Sequence, residues 1–369
     1  MSLNFDLLKR LCETPGVSSR EERMRELVIS ELKPLTDSIS VDAMGNVIAI
    51  KHGAADKSKG KGTGKSKKGT PGPRVMLAAH MDEIGFLVKF IDDKGFIRLQ
   101  PVGGWDARVM VAQRVYVHGF KGQSLLGAMM PGSKPIHMAT PEDLNKPPKI
   151  EDMYVDVGMT AEKVRHQVEI GDMVTMARTT ERVGDTIVSK TLDNRVSVFA
   201  MIEALRAMGP HACEILAVAT TQEEVGLRGA TTAAYALKPD VGIALDITLA
   251  NDFPGPSEYD HVTKLGNGTA IKVMDSSLIC HPKLVRHFRD LAEKHGIKHQ
   301  LEVLPRGGTD AGGIQRSRGG IPSFTLSIPT RYVHTVNEMA AVSDIEATIA
   351  LLARYLEDAH TRGYGYEQE

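Results

Sequence analysis

Hydrophobic residues recur with a helical period near the start of the chain, in "SSREERMRELVISELKPL". The apolar side chains on one face of this stretch are Met24, Leu27, Val28 and Leu32. The pattern predicts an amphipathic helix, with Ser18 or Ser19 as the cap of its first turn. Two short apolar runs follow at 46–50 and 74–80, and each predicts a strand.

A different pattern begins at Phe86 and continues to Val183. Short β-branched runs such as "FIRLQPVGG", "RVYVHG" and "MYVDVG" alternate with Gly, Pro and Asp turns, without a long helical period. This texture is typical of a small all-β domain.

From Ser189 onward, helical and strand patterns alternate. The predicted order is helix "NRVSVFAMIEALRAM", strand "EILAVAT", helix "LRGATTAAYAL", strand "VGIALDIT", helix "PKLVRHFRDLAEKHG" and strand "IPSFTLSI". Alternation of this kind predicts an α/β fold whose mixed, mainly parallel sheet is sandwiched by helices. Because residues 1–85 share the same character, we expect one discontinuous domain of residues 1–85 and 184–369, interrupted by an all-β insertion at 86–183.

The stretch at 54–73, "AADKSKGKGTGKSKKGTPGP", is rich in Lys and Gly and contains no apolar anchor. Such a composition predicts a disordered surface loop. A polybasic tail that binds nucleic acid is the alternative, but the stretch has no aromatic side chain to stack on bases.

Composition narrows the class of protein. The chain is 42% hydrophobic and 25% charged with a net charge of −1, so no global field favours nucleic acid or a membrane surface. No apolar run has the length of a membrane span or a signal peptide, which makes the cytoplasm the expected location. The three cysteines, Cys12, Cys213 and Cys280, are far apart and suggest neither a disulfide framework nor a thiolate zinc site.

Polar side chains gather just beyond the apolar strands. In "VMLAAHMDEIG", His80, Asp82 and Glu83 follow a buried run, and "KTLDNRVS", "AVATTQEEVGLRGA", "GIALDIT" and "IPTRYVHT" repeat the arrangement. In open α/β sheets, ligands bind beyond the carboxyl ends of the strands, so these five clusters are expected to meet. Carboxylates gathered without a cation would repel one another, whereas a divalent ion reverses that effect.

The donor types indicate which cation. Two histidines with several acids and no thiolate suit Zn, Co or Mn better than Ca or Mg. His80 and His334 each supply an imidazole, and the available acids suffice for two metal ions per subunit, with a carboxylate such as Asp193 between them. Dinuclear sites of this kind activate water, so the cluster predicts hydrolysis.

Two further roles follow from the same stretches. Of the neighbouring acids Glu223 and Glu224, one is expected to bind metal while the other faces the water as general base. Asp82 lies two residues from His80 and is expected to accept the second N–H of its imidazole.

Each cluster also has a purely structural explanation. "LDN" is an ordinary helix N-cap, adjacent acids are common in solvated loops, and Asp246 can simply end a strand. "GGTDAGG" lacks the spacing of a phosphate-binding loop and is expected to form a turn that shapes the pocket. The chain has no HExxH motif, so a thermolysin-like mononuclear site is not supported.

The order of the clusters is more specific than any one of them. HxDEIG, LDNR, EEVG, ALD, GGTDA and RYVH follow one another and together resemble the TET aminopeptidases, also called the glutamyl or deblocking aminopeptidase family, over nearly the whole chain. The resemblance implies a dinuclear metallopeptidase domain with a PDZ-like β insertion. It also implies a homo-oligomer in which dimers assemble into a tetrahedral dodecamer.

Motif matching to that family implies a complete ligand set. His80 and Asp246 would hold one metal ion, Glu224 and His334 the other, and Asp193 would bridge the two.

The same matching makes Glu223 the general base and Asp82 the carboxylate that orients a histidine. The predicted function is that of a cytoplasmic aminopeptidase which removes N-terminal residues from peptides, with Zn, Co or Mn as its cofactor. Neither nucleic acid nor a membrane is an expected partner.

Three alternatives remain open at this point. They are a di-metal deacylase of N-acyl amino acids, an endoglucanase-like glycosidase, and an assembly protein without catalysis. A glycosidase needs two carboxyl groups that face each other across a sugar and has no need of histidine-bound metal, which disfavours it. The preferred N-terminal residue is not determined by the sequence.

Overall fold

The computed structural model describes residues 3–53 and 72–365. Within these ranges eleven strands form one mixed sheet, and six others close into a separate antiparallel barrel. The predicted loop at 54–73 lies almost entirely outside the described residues. No helix in the described part of the chain combines the length and the hydropathy needed to cross a bilayer.

The strands follow the apolar runs closely. They are β1 (Ser38–Val41), β2 (Val47–Lys51), β3 (Arg74–His80), β4 (Gly85–Ile91), β5 (Ile97–Val102), β6 (Gln113–His118), β7 (Ser124–Pro131), β8 (Met153–Asp156), β9 (Met173–Met176), β10 (Glu181–Val183), β11 (Thr186–Ser189), β12 (Glu214–Thr220), β13 (Val241–Leu249), β14 (Thr269–Met274), β15 (His299–Val303), β16 (Ser323–Arg331) and β17 (Glu338–Ala341).

Long helices accompany the large sheet, and short ones occur in and around the barrel. The helices are α1 (Phe5–Glu13), α2 (Glu22–Leu32), α3 (Ala107–Met110), α4 (Pro141–Leu144), α5 (Ala161–Arg165), α6 (Leu192–Ala207), α7 (Arg228–Leu237), α8 (Pro282–Lys294), α9 (Asp310–Gln315) and α10 (Val342–Asp358).

The large sheet is parallel only in part. Its path is β1-β2-β12-β3-β13-β16-β17-β11-β10, and the pair β14–β15 joins it through β16. Parallel pairing links β12, β3, β13 and β16 at the centre and β14 with β15. The prediction of a mainly parallel sheet is therefore wrong for the flanks, where short connections such as the one between β1 and β2 return the chain antiparallel.

The central strands are buried on both faces. Val75, Leu77 and Ala79 of β3 belong to the large apolar cluster that also holds side chains of α1, α2, α6, α8 and α10. Met76 and Ala78 point to the opposite face, into a smaller cluster with α7 and α9. Burial on both faces explains why these strands read as continuous apolar runs.

The barrel has its own apolar core. Its strands close in the order β4-β5-β8-β7-β6-β9, and Phe86, Val115 and Val155 are among the side chains buried inside. The barrel strands lie between Gly85 and Met176, and the next strand, β10, already pairs within the large sheet. The domain boundaries derived from the sequence remain a prediction.

The serine cap predicted for the second helix is wrong. Helix α2 begins at Glu22, and no side chain caps its first turn. Ser19 has a φ of 70°, and the Ser18 hydroxyl donates instead to Asp82 at 2.6 Å. The Ser18 side chain therefore binds a distant carboxylate rather than the helix end.

Candidate metal centre

The predicted polar side chains lie together at the carboxyl ends of the central strands. His80 ends β3 directly opposite Thr220, the last residue of β12. Glu223 and Glu224 follow β12, and Asp246 lies in β13. The two remaining side chains come from the first turn of α6 and from the loop after β16, and they are Asp193 and His334.

Asp193 lies between the two histidines. Its Oδ1 is 3.2 Å from Nε2 of His80, and its Oδ2 is 3.4 Å from Nε2 of His334. The peptide bond that follows Asp193 is cis. One carboxylate thus faces two imidazole nitrogens, one with each oxygen.

Each histidine also faces its own acids. Nε2 of His80 lies 3.7 Å from Glu223 Oε2 and 3.9 Å from Asp246 Oδ1. Nε2 of His334 lies 3.6 Å from Glu224 Oε2. The neighbouring glutamates therefore belong to different halves of the cluster, which the adjacent positions in "QEEVG" do not reveal.

Asp82 holds the glutamate loop as well as the histidine. It accepts hydrogen bonds from the backbone N–H groups of Glu223 at 3.1 Å and Glu224 at 3.3 Å, in addition to the one from Ser18. Nδ1 of His80 lies 3.2 Å from the carbonyl oxygen of Asp82 and 3.4 Å from its Oδ1. The residue predicted to orient His80 therefore also fixes the backbone of both acids.

Glu338 is a site residue that sequence reasoning missed. It is 1% exposed at the start of β17, and its two carboxylate oxygens accept the backbone N–H groups of Asp193 and His334, each at 2.9 Å. The only sequence signal is an acid at the entry of a strand, four residues after His334.

A buried ion network lies beneath the cluster. Glu83 accepts the backbone N–H of Gly16 at 3.0 Å and pairs with Lys190, while Nη2 of Arg195 lies 3.6 Å away. Arg195 also donates to the carbonyl oxygen of Leu11 at 2.7 Å. This network connects α1 and the loop after it to the segments that carry the predicted ligands.

The charges gathered in the cluster shift the pKa values of its members. Burial and the charge of Asp193 raise the pKa of Glu224 to about 8. Burial opposes protonation of His334, but the hydrogen bond with Asp193 and the charge of Glu224 raise its pKa to about 10. For His80 burial is likewise outweighed, here by Glu223 and Asp193, and its pKa is raised. These shifts favour the imidazolium forms of both histidines, whose charge offsets the acids.

The residues present fit divalent cations. Asp193 Oδ1 and Glu224 Oε1 are buried oxygens without a hydrogen-bond partner among the described residues. Buried carboxylate oxygens are normally paired, so these two are available to a cation. The donors His80, Asp193 and Glu224, and likewise His80, Glu223 and Asp246, lie close enough to share an ion.

A cavity of about 530 Å³ opens beside the cluster. Leu249, Leu304 and Val333 contribute apolar wall, and Arg306 contributes a guanidinium. Gly307, Gly308 and Thr309 also line it, so the "GGTDA" turn takes part in shaping the pocket as predicted, before α9 begins at Asp310.

Comparisons with known proteins agree with this picture. A model of the M42 glutamyl aminopeptidase family matches residues 61–351. A lysyl aminopeptidase from Pyrococcus furiosus is 35% identical, over 96% of this chain and 97% of that protein. The structure of aminopeptidase APDkam598 from Desulfurococcus kamchatkensis superposes with a TM-score of 0.88 at 35% identity, covering 96% and 94% of the two chains.

The TET1 peptidase of Pyrococcus horikoshii gives a TM-score of 0.81 at 31% identity, over 95% of this chain and 98% of that one. Its structure is described as able to assemble into a tetrahedron or a large octahedral shell. The resemblance drawn from the ordered motifs is confirmed.

Proposed function

Because this chain belongs to the M42 glutamyl aminopeptidase family, it is a hydrolase of peptide bonds, and we propose that it removes N-terminal residues with a two-cation centre. The observation that carries the proposal is the position of Asp193, whose two oxygens face the imidazoles of His80 and His334. A carboxylate in that position suits a bridge between two ions.

The remaining ligands divide by proximity. His80 with Asp246 would hold one cation, and His334 with Glu224 would hold the other. Two divalent cations, when bound, polarise the scissile carbonyl and lower the pKa of water. Zn, Co or Mn are the ions that this set of imidazoles and carboxylates suits.

Glu223 is proposed as the general base. Its side chain lines the cavity beside His80, and its backbone is held by Asp82. It would take a proton from the attacking water and pass it to the departing amine. Burial, with the charges of Asp246 and Glu224, raises the pKa of Glu223 against the opposing charge of His80.

The cavity is proposed to receive the side chain of the N-terminal residue. Leu249, Leu304 and Val333 supply apolar surface, while Arg306 forms no ion pair with any carboxylate among the described residues. A guanidinium without an acidic partner favours a substrate that brings a carboxylate.

Assembly and location belong to the proposal as well. The barrel would act as a PDZ-like module of oligomer contacts, and the large sheet would be sandwiched by helices as in the family. A tetrahedral dodecamer in the cytoplasm is the arrangement we expect, with TET1 peptidase as the structural precedent.

A panel of aminoacyl p-nitroanilides tests the function directly. Protein loaded with Zn, Co or Mn should cleave substrates with a free amine, and protein stripped of metal by a chelator should not. Cleavage confined to N-acylated amino acids would identify a deacylase instead. Cation binding without cleavage of either class would indicate an assembly protein.

A further inference from the structure

The imidazole of His334, the histidine that lies beside Glu224, is oriented by the barrel. Nδ1 of His334 lies 2.8 Å from the backbone carbonyl oxygen of Gly104, which follows barrel strand β5. A carbonyl oxygen only accepts hydrogen bonds, so this contact places the proton on Nδ1 and leaves Nε2 facing Asp193 and Glu224. Histidine ligands are commonly fixed through their other ring nitrogen in this way.

The approach of the barrel to the cluster is close. A Cβ added at Gly104 would lie 3.2 Å from Nδ1 of His334. At Gly103, which has a φ of +79°, a Cβ would lie 3.3 Å from Oε2 of Glu224. Glycine at position 104 thus lets the barrel backbone approach His334, while a side chain at position 103 would first meet Ile84 and would also lie near Glu224.

The segment that carries these glycines is itself anchored. The indole N–H of Trp105 donates to the carbonyl oxygen of Gly85 at 3.1 Å. Its ring stacks on Phe86 at a centroid distance of 4.9 Å. Gly104 therefore belongs to a part of the barrel whose position is fixed by its neighbours.

The loop that carries His334 is held by the barrel from the other side. Val336 lies two residues further along, is 4% exposed, and belongs to the apolar core of the barrel together with Val155. The loop joins β16 to β17 of the large sheet. Its partly buried Val333 packs against the core of that sheet, whereas its buried Val336 points into the barrel. His80, in contrast, is oriented by Asp82 beside the large sheet.

We propose that the barrel is a structural part of the metal centre, with Gly104 and Val336 as positioning residues that fix the imidazole of His334. The inference rests on the proposed function, because it takes His334 as a ligand. It predicts that the two cations depend on the barrel unequally: the ion held by His334 and Glu224 needs it, and the ion held by His80 and Asp246 does not.

Val336→Ala and Val155→Ala form a matched pair of variants. Both remove the same buried volume from the same apolar core, but only Val336 is attached to the ligand loop. The measurements are the cation content after dialysis, a Co²⁺ titration followed by visible absorption, and thermal unfolding.

The expected result is that both variants lose stability but only one loses metal. Val336→Ala should keep one ion at the parental affinity and bind the second about 10- to 100-fold more weakly. Val155→Ala should bind both ions as the parent does. Parental binding of both ions by Val336→Ala, or equal weakening in the two variants, would overturn the inference.

Gly104→Ala provides a second route if Val336→Ala does not fold. Its Cβ would press on the imidazole without leaving a void, and it should weaken the same ion. Parental protein that binds fewer than two cations would defeat the proposed function, and this inference with it.

Discussion

The backbone N–H of Asp193 donates a hydrogen bond of 2.9 Å to the carboxylate of Glu338, although the two residues are 145 positions apart in the chain. The other oxygen of Glu338 holds His334 in the same way. One buried side chain thus sets the separation of two proposed ligands.

Glu338→Gln should weaken cation binding with little effect on the rest of the fold. The amide supplies one acceptor, and its NH₂ group must face one of the two N–H donors. We expect about a tenfold or greater loss of affinity for at least one ion, measured by cation titration.

Asp344→Asn is the matched control for Glu338→Gln. Asp344 is also buried and accepts two backbone N–H groups, from Gly266 and Gly268, but it lies outside the cluster. The Asp344→Asn variant should have a lower free energy of unfolding but an unchanged affinity for cations. Similar affinities in Glu338→Gln and the parent would show that Glu338 does not position the ligands.

Glu223→Gln should separate catalysis from metal binding. The variant keeps the size of the side chain but cannot accept a proton, so we expect turnover to fall by about 10²–10⁴-fold with cation content unchanged. Glu224→Gln should instead lose the ion proposed to lie beside His334. Parental turnover in Glu223→Gln would contradict its role as base.

Cation binding should release protons at pH 7.5. His334, with a pKa of about 10, and His80, with a raised pKa, carry protons in the metal-free protein, and a ligand nitrogen must lose its proton to bind a cation. Affinity should therefore rise with pH across the neutral range.

Calorimetric titration in buffers of different ionisation enthalpy measures this release, which we expect to be at least about two protons per subunit, because Glu224, with a pKa of about 8, gives up a proton in addition to the histidines. Cation binding to the His334→Gln variant should release fewer protons. Binding that is independent of pH between 6 and 8 would mean that the imidazoles are neutral before the ion arrives.

Arg306→Gln should change substrate preference rather than catalysis. Its guanidinium lines the cavity without a carboxylate partner among the described residues, so it should favour an acidic N-terminal side chain. We expect kcat/KM for a glutamyl substrate to fall about tenfold and that for a leucyl substrate to stay within about twofold. Arg306→Lys should retain part of the preference for the glutamyl substrate. Equal losses of kcat/KM on both substrates in Arg306→Gln would refute this role of the guanidinium.

The parts of this fold that were predictable are those with a local cause. The runs at 74–80 and 214–220 are continuous apolar stretches because both faces of those strands are buried, and β3 and β12 have those same bounds. The chemistry at their ends was visible because polar residues interrupt apolar runs there, as at His80 and Asp246. The three cysteines are free, in keeping with a spacing that suggested no disulfide framework, and all three are buried.

The parts that were not predictable depend on contacts between distant segments. Ser18 or Ser19 was expected to cap a helix, and the hydrogen bond of Ser18 with Asp82, 64 positions away, leaves no mark in the pattern. The contact of His334 with Gly104 spans 230 positions. Gly103 and Gly104 predicted only a turn, because hydrophobic periodicity carries no information about which distant segment packs against a turn.

The entry and exit of the barrel have a consequence for how the molecule can vary. The chain enters on β4 and leaves on β9, and these strands pair directly, with Phe86 opposite Val174. The two ends of the barrel insertion already lie side by side. Replacing the barrel with one of a different sequence would therefore cost little loop-closure entropy. Its outward side chains, such as Tyr116 and Leu126, are exposed in the single chain and would be constrained by the proposed oligomer contacts, whereas the rim at Gly104 and the core around Val336 would have to be transplanted intact.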